Sequence, residues 1–214
     1  MVQPVWAVVV AAGSGARFGR KKQFEQLGGR PVVEWSVAAC RTYALGVVVV
    51  LPEGELTDDF GADAVVAGGP TRSASVRHGL AAVPADVEVV IVHDAARPLA
   101  APSLFAAVLE ALGEPGVAGA LCAVPVSDTL KRVAGDPAVV VATVDRRELW
   151  AVQTPQAFRA DVLRRAHAGG DEATDDAALV EALGATVRVV PGDTANLKLT
   201  TPEDLARAEL LLVG

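Results

Sequence analysis

A glycine-rich loop followed by a cluster of cations is the part of this sequence best suited to chemistry. Residues 11–23 read Ala-Ala-Gly-Ser-Gly-Ala-Arg-Phe-Gly-Arg-Lys-Lys-Gln and follow an apolar, β-branched run at residues 5–10 that predicts a buried strand. The glycines allow a sharp turn and a close approach of the backbone to a ligand, because they have no Cβ. Backbone N–H groups in such a loop can bind phosphate, and the four cations between residues 17 and 22 add positive charge. The stretch therefore predicts a phosphate-binding loop.

The spacing of these glycines does not match the two best-known nucleotide fingerprints. Gly13, Gly15 and Gly19 give G-x-G-x-x-x-G, one residue longer than the dinucleotide motif, and no G-K-[ST] follows to make a Walker A loop. An ordinary tight turn between a strand and a helix is the alternative interpretation.

The charge distribution favours the binding site over the ordinary turn. Residues 1–30 carry five cations and one anion, whereas the whole chain has a formal net charge of −7. A basic loop on an acidic protein indicates a local anion site and argues against nucleic acid or an anionic membrane surface as the main partner.

A second candidate follows a strand predicted at residues 87–92. The stretch His-Asp-Ala-Ala-Arg-Pro at residues 93–98 places Asp94 and Arg97 directly after that strand. Because ligands of parallel sheets bind beyond the carboxyl ends of the strands, we expect both residues to meet the glycine loop. Asp94 would then be a ligand for magnesium or a hydroxyl group, and its alternative role is that of a turn former and helix cap.

The elements that must position these residues follow an alternating β-α rhythm. Of the 214 residues, 51% are apolar and only 4% aromatic, and β-branched runs alternate with alanine-rich segments. This pattern predicts an α/β fold with a mostly parallel sheet and helices on both faces. Strands are predicted at 5–10, 47–51, 65–67, 87–92, 119–124 and 187–190, and helices at 31–43, 71–83, 103–112, 161–167, 174–183 and from 201.

The rhythm breaks between about residues 126 and 150, where short apolar runs alternate with tight turns. Strands at 139–144 and 149–152 and the turn at Gly135-Asp136-Pro137 predict a β-arm that projects from the body of a single domain spanning 1–214. An isolated arm cannot bury its own apolar face, so we expect it to pack against a second subunit.

Several other classes of protein are disfavoured. No apolar run is long enough to cross a bilayer, and residues 5–10 lead into glycines and not into a signal-peptide cleavage site. Cys40 and Cys122 are isolated in apolar surroundings, which is typical of buried free thiols in the cytoplasm. The three histidines form no ligand-spaced cluster with them, so a structural zinc site is not expected.

Five motifs, taken together and in this order, resemble the 2-C-methyl-D-erythritol 4-phosphate cytidylyltransferase family. They are Ala-Ala-Gly-Ser-Gly-Ala-Arg at 11–17 with Lys22-Gln23, His-Asp-Ala-Ala-Arg-Pro at 93–98, Pro-Val-Ser-Asp-Thr-Leu-Lys at 125–131, Thr-Pro-Gln at 154–156, and Asn-Leu-Lys-Leu-Thr at 196–200. The likeness covers nearly the whole chain. It implies a Rossmann-like nucleotidyltransferase fold, an arm-exchanged homodimer, CTP and methylerythritol phosphate as substrates, and magnesium as the cofactor.

The resemblance also implies roles for individual residues. Arg17 and Lys22 match the pair of catalytic cations. The nucleotide-binding positions are Ala11, Ala12, Gly13, Gly15, Gly69 and Ser75. The acceptor-binding positions are Asp94, Arg97, Thr129, Arg146, Thr154 and Lys198, with Arg146 reaching from the arm to the partner's substrate. Magnesium would be held mainly by the phosphates of CTP, with Asp94 as a further ligand.

Two departures from the family pattern and three alternative functions stay open at this point. The family motif reads Pro-Lys-Gln, whereas here Lys21 precedes Lys22, and Pro70 follows Gly69 where a polar residue is common. A cytidylyltransferase for another polyol phosphate, such as ribitol 5-phosphate, shares the glycine loop and the His-Asp…Arg-Pro element. A nicotinamide-dependent oxidoreductase would require an acidic residue at the end of the second strand, which instead ends Leu51-Pro52. A non-catalytic nucleotide-binding module is the third alternative.

Overall fold

The structure is a computed structural model that describes residues 4–16 and 18–213. Its strands are β1 Val5–Val10, β2 Gln26–Leu27, β3 Arg30–Pro31, β4 Gly46–Leu51, β5 Ala64–Ala67, β6 Val89–Asp94, β7 Val117–Pro125, β8 Leu130–Ala134, β9 Val139–Val144, β10 Trp150–Arg159 and β11 Thr186–Pro191. Its helices are α1 Val32–Arg41, α2 Arg72–Ala82, α3 Pro102–Leu112, α4 Ala160–Ala168, α5 Asp176–Ala182 and α6 Pro202–Val213, with a short 3-10 helix at Lys22–Phe24.

Seven strands form the central sheet, in the order β11-β7-β10-β6-β1-β4-β5. β1 pairs in parallel with β4 and β6, β4 with β5, and β7 with β11, whereas β10 runs antiparallel to both of its neighbours. The prediction of a mostly parallel α/β sheet is confirmed. The parallel strands β1 and β6 place the glycine loop and Asp94 at one edge, since both elements end there.

The sheet is covered on both faces, as predicted. Side chains along β4 alternate between the two layers: Val47 and Val49 pack with α1 and α3, whereas Val48 and Val50 pack with α2, α4 and α5. All six residues of β4 are buried, which explains why a strand in this position reads as a continuous apolar run and not as an alternating one.

One central strand was not predicted. The sequence analysis assigned residues 149–152 to the arm, but the structure has a ten-residue strand, β10, in the middle of the sheet. Pro155 and the polar residues around it hide the strand pattern, because proline has no N–H for a sheet ladder. The register of β10 on β7 shifts between Val152 and Gln156, so Pro155 lies at an irregularity of the ladder.

The arm consists of β8 and β9, which form a separate two-stranded antiparallel sheet. It lies within the segment 126–150, where the sequence predicts it. Every residue from 131 to 143 is exposed, including Val133, Val139, Val140 and Val141. Within this chain the hairpin therefore buries almost none of its apolar surface.

Candidate active site

A cavity of about 590 Å³ opens at the carboxyl ends of β1 and β6. Its lining residues come from the glycine loop, the start of α2, the end of β6 and the segment before α6: Val10, Ala11, Ala12, Gly13, Ser14, Lys22, Gln23, Gly69, Pro70, Thr71, Arg72, Ser75, Asp94, Ala95, Ala96 and Lys198. The structure thus brings the glycine loop and Asp94 to one cavity, at the sheet edge where the sequence analysis expected them to meet.

The glycine loop owes its shape to one glycine and one buried side chain. Gly15 has a φ of +70°, and a Cβ there would lie 1.8 Å from the carbonyl oxygen of Arg20, so the loop cannot close with another residue. The buried Gln23 amide donates a hydrogen bond of 3.1 Å to the carbonyl of Gly13. A Cβ on Gly13 would meet no atom within 4 Å, which leaves this part of the loop open to a ligand.

The two adjacent lysines have different surroundings. Lys22 lines the cavity, and its Nζ donates to the carbonyl of Leu199 at 2.6 Å. Lys21 forms an ion pair of 2.6 Å with Glu55, and both of these side chains are exposed. Lys22 is therefore the lysine at the cavity. Arg17, the other predicted catalytic cation, lies outside the described residues.

Gly69 and Ser75 form another part of the wall of the larger cavity. The N–H of Gly69 donates to Ser75 Oγ at 3.1 Å, and the Ser75 hydroxyl donates to the carbonyl of Thr71 at 2.8 Å. A Cβ on Gly69 would lie 2.5 Å from Ala74 Cβ, so glycine is required for this close packing against α2. Thr71 caps α2 as predicted, since its side chain accepts from the N–H of Ala74. Pro70 lines the cavity but has no N–H to offer a base.

Asp94 is held between two cations. Its Oδ2 accepts from Lys198 Nζ at 2.6 Å, and its Oδ1 accepts from Arg72 Nε at 3.2 Å. Burial alone would raise the pKa of Asp94, but the charges of Arg72 and Lys198 lower it well below the usual range. The carboxylate is therefore ionised at neutral pH. Sequence reasoning missed Arg72, because its partners are 22 and 104 residues away in the chain.

A second cavity of about 230 Å³ adjoins the first. It shares Arg72, Asp94 and Lys198 with the larger cavity, and its other lining residues are Arg97, Val152, Gln153, Thr154, Gln156, Thr174 and Asp175. These three shared residues, which we call the shared wall, separate the two spaces. Two ligands bound in the two cavities would meet at a wall that carries two cations and one carboxylate.

Thr154 is held in a buried hydrogen-bond chain with His93. The N–H of Asp94 donates to Thr154 Oγ1 at 3.0 Å, and Thr154 Oγ1 lies 3.1 Å from His93 Nδ1. His93 Nε2 lies 3.2 Å from the carbonyl of Arg97, which can only accept, so Nε2 carries the proton and Nδ1 accepts from Thr154. Burial lowers the pKa of His93 to about 4, so the ring is neutral at pH 7.

Arg97 binds backbone carbonyls in this structure. Its Nη1 donates to the carbonyl of Asn196 at 2.6 Å and its Nη2 to that of Val152 at 3.3 Å. The Asn196 amide in turn donates to the carbonyl of Thr154 at 2.9 Å. These bonds attach the segment that carries Lys198 to β10. Asn196 also contacts Gln153, a residue that the sequence analysis did not single out.

Two predicted acceptor-binding residues lie away from both cavities. Thr129 and Arg146 are exposed and line neither space, and Arg146 donates a hydrogen bond to the carbonyl of Ser127 beside the arm. One chain alone therefore does not bring these two residues to the site.

The described residues contain no group of three or more His, Cys, Asp or Glu side chains placed to hold a metal ion. Both oxygens of Asp94 already have cationic partners. Among the described residues that line the larger cavity, Asp94 is the one acidic side chain, and it is ionised.

The chain is similar to known proteins over nearly its whole length. The chain is 47% identical to a bifunctional enzyme IspD/IspF of Anaeromyxobacter sp. (strain Fw109-5), with 97% of this chain but only 57% of that protein covered. It is 46% identical to the 2-C-methyl-D-erythritol 4-phosphate cytidylyltransferase of Deinococcus radiodurans, with 96% of this chain and 88% of that protein covered. The chain therefore spans little more than half of its bifunctional relative and most of its monofunctional one.

The fold agrees with these relatives. The crystal structure of 2-C-methyl-D-erythritol 4-phosphate cytidylyltransferase from Thermus thermophilus matches with a TM-score of 0.83 and 42% identity, covering 97% of this chain and 98% of that one. The family model of IspD, 2-C-methyl-D-erythritol 4-phosphate cytidylyltransferase, matches residues 5–213. The chain belongs to the 2-C-methyl-D-erythritol 4-phosphate cytidylyltransferase family.

Proposed function

We propose that this chain transfers CMP from CTP to 2-C-methyl-D-erythritol 4-phosphate, giving 4-diphosphocytidyl-2-C-methyl-D-erythritol and pyrophosphate. The observation that carries the proposal is the pair of adjoining cavities with a common charged wall. The larger one suits a nucleotide, since it is lined by the glycine loop, Gly69 and Ser75. The smaller one suits a phosphorylated acceptor, and family membership supplies the identity of both substrates.

The reaction is an in-line attack by a phosphate oxygen of the acceptor on the α-phosphorus of CTP. Both reactants are anions, so their approach is repulsive without cations. Lys22 and Arg17 would neutralise the triphosphate and the charge that develops on the α-phosphorus, and Lys198 would attract the acceptor phosphate. These cations are the main contribution of the protein to the chemical step.

No general base is needed for this reaction, because the acceptor phosphate is already largely ionised at neutral pH. The ionisable groups beside the cavities agree with that requirement. Asp94 is an ionised carboxylate bound to two cations, and His93 is buried and engaged at both ring nitrogens. Both groups hold their neighbours in place and take no proton from the substrate.

Magnesium fits this site as an ion that arrives with the nucleotide. Asp94 offers one ionised carboxylate at the larger cavity, which is too few protein ligands to hold the ion without the phosphates. Magnesium bound to the triphosphate supplies further neutralisation of its charge.

We also propose that two copies of the chain exchange their arms in a homodimer. The apolar residues of the arm are exposed in the single chain, and Thr129 and Arg146 lie away from both of its cavities. An arm that reached a second subunit would cover this apolar surface and would bring Arg146 to the partner's acceptor phosphate, as the family resemblance implies.

The compartment we propose is the cytoplasm, since Cys40 and Cys122 are buried and unpaired, as is usual in a reducing environment. A separate observation concerns membranes: within the described part of the chain, no helix combines the length and the apolar character needed for a membrane span.

The test is release of pyrophosphate from CTP with a panel of polyol phosphates. The proposal predicts turnover with 2-C-methyl-D-erythritol 4-phosphate and little with ribitol 5-phosphate. Preference for ribitol 5-phosphate would change the proposed acceptor but not the proposed reaction. Binding of CTP without turnover on any polyol phosphate would indicate a nucleotide-binding module.

Excess chelator should abolish the turnover without unfolding the protein, and activity that survives it would refute the role of magnesium.

A further inference from the structure

Arg72, the first residue of α2, joins two carboxylates that are far apart in the chain. Its Nε donates to Asp94 Oδ1 at 3.2 Å, and its Nη1 donates to Asp176 Oδ2 at 2.7 Å. Burial alone would lower the pKa of Arg72, but the two carboxylates raise it, so the guanidinium stays charged. Its Nη2 is buried without a hydrogen-bond partner. Two of its three guanidinium nitrogens are thus engaged by these two carboxylates.

Asp176 is a buried anchor for this arginine. It is the first residue of α5 and is completely buried. Its other oxygen, Oδ1, lies 3.0 Å from Nε2 of the buried His167. One end of the Arg72 guanidinium is therefore fixed by the body of the fold, while the other end reaches the cavities.

The contact between Arg72 and Asp94 affects how Lys198 is held at the shared wall. Because Arg72 holds Oδ1 of Asp94, the second oxygen of that carboxylate is left for Lys198, which donates to it at 2.6 Å. A lysine has a long flexible stem, so its ammonium keeps one position only when its partner does. Lys198 is thus joined to the buried Asp176 through Asp94 and Arg72.

We propose that Arg72 is a positioning residue for the reaction, which fixes the Asp94 carboxylate and, through it, the ammonium of Lys198. This inference rests on the proposed function. It requires an arginine, because only the planar fork of a guanidinium can bind two separate carboxylates through different nitrogens, whereas a lysine is a single point charge.

A purely structural role for Arg72 is the competing explanation. The start of α2 has other contacts with residues 171–176: Ser73 exchanges hydrogen bonds with Ala173, and Arg77 forms an ion pair of 2.8 Å with Glu172. Arg72 could be one more of these contacts between α2 and residues 171–176, with no part in the reaction. Arg77 is the matched control, because it lies on the same helix and binds the same segment but lines neither cavity of the site.

The experiment compares Arg72→Gln, Arg72→Lys and Arg77→Gln in steady-state assays with CTP and 2-C-methyl-D-erythritol 4-phosphate, on protein shown to be folded by circular dichroism. We expect both Arg72 variants to lose roughly 10- to 100-fold in kcat/KM for the acceptor, since a displaced charge misorients the reacting phosphate. Arg77→Gln should stay within about twofold of wild type, because surface ion pairs contribute little.

A double-mutant cycle then separates positioning from stability. If Arg72 acts through Lys198, Arg72→Gln should cost less than about threefold further in a Lys198→Ala background, because the charge it positions is gone. If Arg72→Gln does not fold, the same cycle is made with Asp176→Asn, which keeps the shape of the anchor and removes its charge.

Three outcomes have distinct meanings. Arg72 variants as active as Arg77→Gln, or a cycle in which the losses simply multiply, would overturn the inference. Recovery of full activity by Arg72→Lys would also overturn it, since the fork would then be unnecessary. A wild-type protein that transfers no CMP to the acceptor would instead refute the proposed function.

Discussion

The shared wall and the arm use charged residues in opposite ways. At the shared wall, Arg72, Asp94 and Lys198 are joined by short ion pairs and attached to buried residues of the same chain. Beside the arm, Arg146 is exposed in the segment between β9 and β10, and Val133, Val139, Val140 and Val141 of the arm itself are more than half exposed. The charges of the first region are paired within a single chain, whereas the second region has polar and apolar groups that nothing in the described part of the chain covers.

This difference suggests a division of labour. The larger cavity is lined by the glycine loop and Lys22 of a single chain, so under the proposed function we expect nucleotide binding to depend on one chain. The smaller cavity is lined by Lys198 and Thr154 but not by Thr129 or Arg146, so we expect acceptor binding to depend on two chains. Four experiments probe this comparison.

The largest effect should come from the cation on the cavity side. Lys22→Ala should reduce kcat by on the order of 100- to 1,000-fold, because a positioned charge stabilises the developing charge at the α-phosphorus. Lys21→Ala is the control and should be nearly neutral, since Lys21 pairs with Glu55 at the surface. Steady-state rates of pyrophosphate release measure both. A greater loss from Lys21→Ala would show that the catalytic role was assigned to the wrong lysine.

Acid should destabilise the fold through the buried ring of His93. The pKa of His93 is lowered to about 4 from an ordinary value of 6.5, so the folded protein favours the neutral ring. Between these pH values the unfolded chain binds more protons, and the free energy of unfolding should fall by up to about 3 kcal/mol as the pH drops through this window.

Urea unfolding at several pH values tests this expectation. His93→Gln should flatten the curve between pH 6.5 and about 4. Equal slopes for wild type and His93→Gln would show that the buried ring does not control the acid response.

On the arm, Arg146→Ala should lower kcat/KM for the acceptor by about 10- to 100-fold, which is what loss of one charge-assisted hydrogen bond to a phosphate costs. The free energy of unfolding should not change, because the side chain is exposed. Arg147→Ala is the control: Arg147 lies in the same turn but pairs with Asp145. Equal losses of kcat/KM in the two variants would show that Arg146 has no role in acceptor binding that Arg147 does not share.

The parts of the fold that depend on local pattern could be predicted from the sequence. The strand before the glycine loop and the Thr71 cap of α2 follow from apolar runs and capping chemistry within a few residues. β10 could not be found in this way. Its buried polar residues, such as Gln153, form hydrogen bonds with distant segments, and Pro155 interrupts its ladder, so the strand lacks an apolar pattern.

The same distinction between local sequence pattern and distant partners applies to the candidate site. Residues near a recognisable motif, such as Lys22 and Asp94, could be predicted and do line the larger cavity. Arg72 and Gln153 could not, since what makes them matter is a hydrogen-bond partner in a distant segment of the chain. Whether Thr129 and Arg146 belong to the site stays a prediction, because it depends on a second subunit.

Subunit mixing tests the composite site most directly. Arg146→Ala and Lys22→Ala subunits, each nearly inactive alone, are combined in equal amounts and allowed to exchange. If Arg146 acts on the partner's site, each mixed dimer regains one intact site, and half of the dimers are mixed, so activity should return to roughly a quarter of wild type. No recovery after demonstrated exchange would contradict the account and place Arg146 in the site of its own subunit or outside any site.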